Sequence, residues 1–321
     1  AGDVRSAIDH AERSWTAALQ GGDPWITTSA AIWPLTWWPW LGDRTWWERW
    51  LNRYFEYRKR ALVGRYDRPA FGAAALLAAW LGRPDQAETA LRAAAEFDAR
   101  QPNRHPFLEH LAGAAHAALG NWEQARAVFR QTLEVCENSS CQKWGIEVAA
   151  HYGRFLLRAG DLVTAESLLN QAYRTARDGR CLVQIINLLP LLGELRQRRG
   201  QLDEADRCLR EARSILSQPQ PWQGLTAAVD RAEGLLATAN EEWSSAERCF
   251  TRALEAEQAC GFLFNEAHIL VPWAEVYFHR DEPSDAERGL DKLDRALAIF
   301  EQCQAQKDME KVLARRAEVA S

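Results

Sequence analysis

A repeat of about 40 residues constrains the fold of this 321-residue chain more than any other feature. Each copy has a glycine, a polar residue, a variable residue that is usually apolar, and an alanine five positions after the glycine. The glycines of the four clearest copies are Gly82, Gly120, Gly160 and Gly200, at steps of 38, 40 and 40. A fifth copy has Asn240 near the turn and leads to Ala246, and a degenerate sixth leads to Ala286. Such self-similarity predicts one repeat array rather than two unrelated domains.

A second set of glycines repeats with the same period. They lie 12 residues before the alanines of four copies, and a large apolar residue lies four after each alanine. The glycines are Gly113, Gly153, Gly193 and Gly234, and the large residues are Phe129, Leu169, Leu209 and Phe250. This spacing predicts a helix, a tight turn and a second helix. The turn glycine supplies the positive φ of a helix C-cap, and the small residues let the two helices approach closely.

The N-terminal residues 1–66 also have helical spacing, but their composition differs. Val4, Ile8, Ala11 and Trp15 form one apolar stripe, which the segment Gly21-Gly22-Asp23-Pro24 ends. A second stripe follows the turn Leu41-Gly42-Asp43 and comprises Trp46, Trp47, Trp50, Leu51, Tyr54, Phe55 and Leu62. Residues 32–40 contain two prolines, so a helix there must kink or stop. We expect helical hairpins that continue into the array of residues 67–321.

Tryptophan is concentrated at this N-terminal end. Nine of the 15 tryptophans lie in the first 50 residues: Trp15, Trp25, Trp33, Trp37, Trp38, Trp40, Trp46, Trp47 and Trp50. Two interpretations stay open. The rings fill the core where two helix layers meet, or they form an aromatic docking surface for a ligand or a neighbouring domain.

The repeat resembles the tetratricopeptide (TPR) repeat, which has a small residue in the first helix, glycine near the turn and a small residue followed by a large one in the second helix. The resemblance covers residues 67–321 in about six repeats. It implies an all-α fold, a right-handed α-solenoid of TPR-like helical hairpins. The period exceeds the 34-residue form by about six residues, so we expect longer helices. We expect one elongated superhelix with a concave groove that binds a protein or peptide.

A further resemblance is to the sensor domains of signal-transduction ATPases with numerous domains, the STAND class, which includes the NB-ARC type. The residues that carry it are 4–8, Leu41-Gly42-Asp43-Arg44, Glu48-Arg49-Trp50-Leu51 and the closing residues 293–301. No phosphate-binding loop of the form G-x-x-x-x-G-K-[ST] occurs. The resemblance therefore implies a covalently linked NTPase domain that is absent from this chain. The chain starts at Ala1, and its one methionine is Met309, as expected for a piece of a larger protein.

Side chains of the first helices are the candidates for the groove, because these helices line the concave face of a TPR superhelix. Counting from the repeat glycines selects Trp80, Phe107, His110, Glu147, Arg154, Arg158, Asn187, Glu194, Gln197, Arg198, Arg231, His268, Glu275, Phe278 and His279. Arg154, Arg158, Arg198 and Arg231 are placed to converge on an acidic peptide. The alternative is a solvated face in which they pair with Glu147 and Glu194. Pro190 and Pro272 fall inside first helices and predict bends.

Charge and motifs argue against other classes of function. With 39 basic and 44 acidic residues the net charge is −5, so we expect no direct nucleic-acid partner, and no apolar run is long enough to predict a membrane span. We also predict no metal, because His105, His110 and His116 are 5 and 6 residues apart and do not share a helix face. No catalytic or cofactor motif is present, so we expect no cofactor and no enzymatic activity.

The seven cysteines are scattered singly, which favours a reducing, cytoplasmic compartment, although Cys136 and Cys141 are near enough to bridge under oxidising conditions. Two functional hypotheses follow. The first is a sensor domain that binds a ligand in its groove and regulates an attached STAND-type ATPase or signalling module. The second is a free-standing receptor, similar to the TPR regulators of bacterial peptide signalling. An enzyme with an unrecognised site is the third alternative, which the lack of a matched acid/base pair in the groove disfavours.

Overall fold

The computed structural model describes residues 4–36, 42–59, 67–100, 109–137, 142–218 and 223–320, and within these ranges it forms sixteen α-helices, one short 3₁₀ helix and no strand. The helices are α1 (Val4–Gly21), α2 (Pro24–Ile32), α3 (Arg44–Arg58), α4 (Asp67–Trp80), α5 (Pro84–Arg100), α6 (Glu109–Ala118), α7 (Trp122–Glu137), α8 (Gln142–Ala159), α9 (Leu162–Asp178), α10 (Leu182–Arg198), α11 (Leu202–Leu216), α12 (Gln223–Ala239), α13 (Trp243–Cys260), α14 (Leu263–Arg280), α15 (Asp285–Gln302) and α16 (Gln306–Ala320). The 3₁₀ helix is Trp33–Thr36. The predicted all-α class is confirmed.

Successive helices pack against one another as hairpins, and the first helices of neighbouring hairpins also contact each other. These first helices, α4, α6, α8, α10, α12 and α14, form one continuous inner row. The row contains both internal prolines, Pro190 in α10 and Pro272 in α14, as expected.

Glycine ends the first helix of four hairpins in the left-handed conformation that the repeat predicted. The φ values are 67°, 75°, 82° and 72° at Gly82, Gly120, Gly160 and Gly200. In the fifth copy, where Asn240 was placed near the turn, the positive φ of 60° belongs to Glu241 instead. A non-glycine residue in this region is strained, because Cβ approaches the carbonyl oxygen.

The N-terminal helices end where the sequence indicated. After Gly21 the chain turns at Gly22, and the Asp23 side chain caps α2 by accepting from the backbone N–H groups of Trp25 and Ile26. The α2 helix ends at Ile32, just before Pro34, so the predicted stop is confirmed. Trp37, Trp38, Trp40 and Leu62 lie outside the described residues, as does the turn residue Leu41.

The second set of glycines brings the two helices of each hairpin into close contact. A Cβ atom added at Gly153 would lie 2.4 Å from Cδ2 and 2.9 Å from Cγ of Leu169, whose side chain is fully buried. Gly113, Gly193 and Gly234 contact Phe129, Leu209 and Phe250 in the same way. The large residue of each pair therefore occupies the space that the missing side chain leaves free.

We predict that Gly153→Ala lowers the free energy of unfolding by about 1–3 kcal/mol, the usual cost of overpacking a filled core. This loss should outweigh the gain of up to ~1 kcal/mol from the better helix propensity of alanine. Chemical denaturation followed by circular dichroism measures both effects. The matched control is Gly21→Ala, which has no neighbour within 4 Å of the added Cβ and should be neutral or stabilising. Equal behaviour of the two variants would show that Gly153 is not needed for packing.

The last hairpins return to the first ones. The Trp80 and Phe262 rings meet edge to face with centroids 5.4 Å apart, and the Cys260 thiol donates to the Gly42 carbonyl oxygen at 3.0 Å. Further along, a Cβ added at Gly120 would lie 3.0 Å from the backbone nitrogen of Gln306. We call this contact region the closure seam; it comprises Gly42, Trp80, Gly120, Trp122 and Arg158 on one side and Cys260, Phe262, Gln306, Asp308 and Lys311 on the other.

Arg158 is the main polar contact of the closure seam. Its Nη2 donates to an Asp308 carboxylate oxygen at 2.5 Å and to the Ala117 carbonyl oxygen at 3.1 Å. The Lys311 ammonium donates to the Arg158 carbonyl oxygen and lies 4.8 Å from the centre of the Trp122 ring. These contacts join α16 to α6, α7 and α8 across about 150 residues of sequence.

The expected elongated shape is wrong, because the curvature of the inner row brings the last hairpins onto the first. The accessible surface of 14947 Å² is roughly a tenth above the ~13,500 Å² of a compact monomer of this mass. An open array would expose much more. No helix among the described residues is long and apolar enough to cross a membrane.

Candidate functional site: an enclosed cavity on the inner row

A cavity of about 400 Å³ lies among the helices of the inner row, next to the closure seam. This volume is within the range of small-molecule binding sites. Most of its wall is apolar and includes Trp80, Phe129, Phe155, Pro190, Leu191, Leu225, Phe262 and Phe264. Its polar side chains are His151, Arg154, Arg158, Asn187, Glu194, Thr226, Arg231, Glu257, Asn265 and His268. The inner row thus forms an apolar chamber in which a few polar groups converge.

Glu194 of α10 organises two arginines at one side of the cavity. Its carboxylate accepts from Arg198 Nη2 at 2.5 Å and from Arg231 Nη1 at 2.7 Å. Burial alone would raise the pKa of Glu194, but the charges of Arg231 and Arg198 and their hydrogen bonds outweigh it and lower the pKa to about 2. Arg231 also donates from Nε to the His268 carbonyl oxygen at 3.1 Å. Arg231 and Arg198 therefore share the one negative charge of Glu194.

Arg158 connects the cavity to the closure seam. One part of its guanidinium binds Asp308, and the group also lies 4.9 Å from the centre of the Phe264 ring, which lines the cavity. Since Asp308 is held in α16, the charge of Arg158 is neutralised by the protein. Phe264 of the cavity wall therefore contacts Arg158, the residue that holds the closure seam together.

Arg154 differs from these arginines, because it makes no hydrogen bond or ion pair with any described residue. Its guanidinium nitrogens are not occluded, and they face the cavity. Burial lowers the pKa of Arg154, and the carboxylate of Glu257 acts in the opposite direction. A guanidinium stays protonated in proteins, so Arg154 is a partly buried positive charge that makes no hydrogen bond or ion pair with the described residues.

Two neutral polar side chains beside Arg154 are open in the same way. His151 lies one helical turn before it on α8, and Asn187 projects from α10; both are buried and neither has a hydrogen bond to the described residues. Burial, together with the charges of His110 and Arg154, lowers the pKa of His151 well below its usual value. The His151 imidazole is therefore neutral, with one N–H donor and one acceptor.

Glu257, near the end of α13, is one of two carboxylates whose charge acts on Arg154, and Glu194 is the other. It accepts from Asn265 Nδ2 at 3.0 Å. Burial raises the pKa of Glu257 to about 7, although the Asn265 hydrogen bond and Arg154 lower it in part. The wall carries three arginines against Glu194 and Glu257, so its net charge is between +1 and +2 near neutral pH, depending on the protonation of Glu257.

The structure brings together seven of the residues that the sequence placed in the groove: Trp80, Arg154, Arg158, Asn187, Glu194, Arg231 and His268. Their use differs from the predicted one. Arg198 and Arg231 pair with Glu194, as the alternative interpretation expected. Arg158 pairs with Asp308. Glu147, its other expected partner, accepts from Gln184 instead, and burial raises its pKa to about 7.

The other candidate residues do not line the cavity. His110 is buried, with its ring 5.1 Å from that of His151, and Gln197 and Arg198 lie beyond the cavity wall. Glu275 binds Arg315 of α16 at 2.8 Å, and Phe278 packs under the same arginine, because the last hairpin covers this end of the inner row. His279 is exposed beside them. Phe107 lies outside the described residues, as does His105.

Several cavity residues could not be found by counting along the repeat. Glu257 and Cys260 lie on a second helix, and Phe262 lies in the turn after it. They reach the cavity only because the last hairpins fold back, which no local pattern in the sequence indicates. His151 is not among the residues selected by counting, and its position one turn before Arg154 on the same helix was the available signal.

The described residues include no group of three or more His, Cys, Asp or Glu side chains arranged for a metal ion. No model of a known protein family matches the chain, and a comparison with curated proteins also finds no match. The interpretation of the cavity therefore depends on its geometry and charge.

Proposed function

We propose that this chain is a non-enzymatic sensor domain, a right-handed α-solenoid of TPR-like hairpins, which binds its ligand in the cavity on the inner row. The observation that carries the proposal is the cavity itself, an apolar chamber on the inner row whose lining includes Arg154, His151 and Asn187, which make no hydrogen bond to the described residues. Polar groups in an apolar chamber need hydrogen-bond partners, and a bound ligand can supply them. The enclosed volume suits a small molecule or a short peptide segment.

The closure seam supplies a way to transmit binding. The cavity is walled on one side by α8 and α10 and on the other by residues 256–269 of the last hairpins, so a ligand inside contacts both sides. A ligand that binds only the closed array shifts the population toward closure. In the proposed function this shift regulates an attached STAND-type ATPase or signalling module. Five of the described cysteines are free thiols, which supports a reducing, cytoplasmic setting; they are Cys181, Cys208, Cys249, Cys260 and Cys303.

A blocked-cavity variant tests the proposal. Ala228 lines the cavity and is partly open to it, so Ala228→Phe should fill part of the chamber. The control is Ala314→Phe, an exposed position on α16 outside the cavity wall. A panel of neutral, acidic and basic fragments and short peptides is screened by thermal shift, with calorimetry on the hits.

We expect hits that stabilise wild type and Ala314→Phe by about 2.7 kcal/mol at a hundredfold excess over Kd, and that leave Ala228→Phe unchanged. Hydrogen exchange in α16 should slow when such a hit binds. A panel without any hit, or hits that bind Ala228→Phe equally well, would contradict the proposal. Circular dichroism of the three proteins shows whether each is folded.

A further inference from the structure

We propose that the ligand of this cavity is a monocarboxylate with an aromatic or apolar body, and that Arg154 binds its carboxylate while Asn187 and His151 donate hydrogen bonds to it. The inference rests on the proposed function, since it names the chemical class of the ligand in the same cavity.

The unpartnered guanidinium of Arg154 indicates an anion. Removing a charge from water costs several kcal/mol unless a counter-charge and hydrogen bonds replace the water. The chain provides such partners for Arg158 and for Arg231, but not for Arg154. A planar guanidinium with open nitrogens binds a carboxylate through two parallel hydrogen bonds, which gives both energy and orientation.

Asn187 and His151 complete the polar end of the site. The Asn187 amide can donate two hydrogen bonds, and the neutral His151 ring can donate one. Both groups face the same cavity as Arg154 from α10 and α8, and both are without partners among the described residues. A carboxylate has about four lone-pair positions, enough for two bonds from Arg154 and one from each neutral group.

The charge balance favours a single negative charge. With Arg198 and Asp308 counted, four arginines face the carboxylates of Glu194, Asp308 and Glu257, so one positive charge is left when Glu257 is ionised, and one anionic group neutralises it. A second negative charge would lie near Glu257 without a cation to receive it. Protonation of Glu257, whose pKa is already near 7, would further reduce repulsion toward the bound carboxylate.

The rest of the wall selects an apolar body. Rings of Trp80, Phe129, Phe155, Phe262 and Phe264 line the chamber, and Phe155 lies one residue after Arg154 on the same helix. Aromatic ligands pack well against such rings in offset or edge-to-face arrangements. Two kinds of molecule carry such a carboxylate, a free organic acid and the C-terminus of a short peptide. The size of the cavity limits which of them can bind.

The test uses benzoate, phenylacetate, 3-phenylpropanoate and indole-3-acetate, each paired with its neutral amide, in calorimetric titrations of the full chain. We expect at least one acid to bind, and its amide to bind at least tenfold more weakly. Arg154→Met should remove the preference for the acid, Arg154→Lys should retain part of it, and the exposed Arg174→Met should leave it unchanged. The peptide Ala-Ala-Phe and its C-terminal amide distinguish the two sources of the carboxylate.

Unfolding midpoints show whether the variants fold, and Arg154→Met should be at least as stable as wild type because it removes a partly buried charge that makes no ion pair. Equal binding of acids and amides would overturn the inference and leave the ligand-binding function intact. The inference is also overturned, and the ligand-binding function left intact, if none of the acids binds but other fragments bind to wild type and not to Ala228→Phe. Failure of every fragment would instead contradict the proposed function.

Discussion

Asp308→Ala should lower the free energy of unfolding by about 3–5 kcal/mol, the cost of leaving one member of a buried ion pair without its partner. The Asp308 side chain is 5% exposed and that of Arg158 is 15% exposed, so solvent cannot replace the lost carboxylate. The change also removes the ion pair that joins α16 to α8. We therefore expect an opened closure seam as well as a less stable protein.

Denaturant unfolding measures the first effect, and hydrogen exchange in α16 measures the second. The matched control is Asp294→Ala, which removes the ion pair between Asp294 of α15 and Arg316 of α16. Arg316 lies on the same helix as Asp308. Both members of that pair are about half exposed, so the control should change stability by less than ~1 kcal/mol. If Asp308→Ala were as mild as the control, the ion pair would not be what holds the seam closed.

Trp50→Ala should destabilise the N-terminal hairpins by about 3–5 kcal/mol, the usual cost of truncating a fully buried aromatic residue. Trp50 has no exposed surface, and its ring lies 6.0 Å from that of Trp15 and 5.5 Å from that of Trp46. Arg53 adds a cation–π contact at 4.5 Å from the Trp50 ring centre. A loss of this ring leaves a cavity that the neighbouring rings cannot fill without moving.

The comparison variant is Trp25→Ala, because Trp25 is 46% exposed and should contribute much less. Thermal unfolding followed by circular dichroism gives both values. A small effect of Trp50→Ala would show that the N-terminal tryptophans do not form a core. A large effect of Trp25→Ala would mean that its ring is buried by a contact the described residues do not make.

The tryptophan-rich start illustrates what composition could and could not decide. Of the nine tryptophans, Trp15, Trp46, Trp47 and Trp50 are core residues, as the first interpretation expected. Trp25 and Trp33 keep large exposed surfaces, as do Leu19 and Ile26, which leaves the docking interpretation open for the two tryptophans. A periodic stripe indicates which side of a helix is buried, but it cannot tell which stripe a neighbouring element will cover.

The hairpins themselves were predictable, because their cause is local. A glycine with positive φ and a glycine opposite a large residue are constraints that act within about 30 residues, and both occur where the repeat placed them. The cavity was only partly predictable. Arg154, Asn187 and Glu194 follow from the spacing of first helices. Glu257 comes near Arg154, and Asp308 binds Arg158, only across the closed array, and that closure depends on curvature summed over many hairpins.

The central claim is that the array closes on itself and thereby forms the site. Small-angle X-ray scattering of the full chain in dilute solution tests it most directly. Closure predicts a radius of gyration close to that of a compact chain of this length, about 20 Å, and a clear increase for Asp308→Ala. A distinctly elongated wild-type particle, with the same scattering curve after Asp308→Ala, would contradict the account.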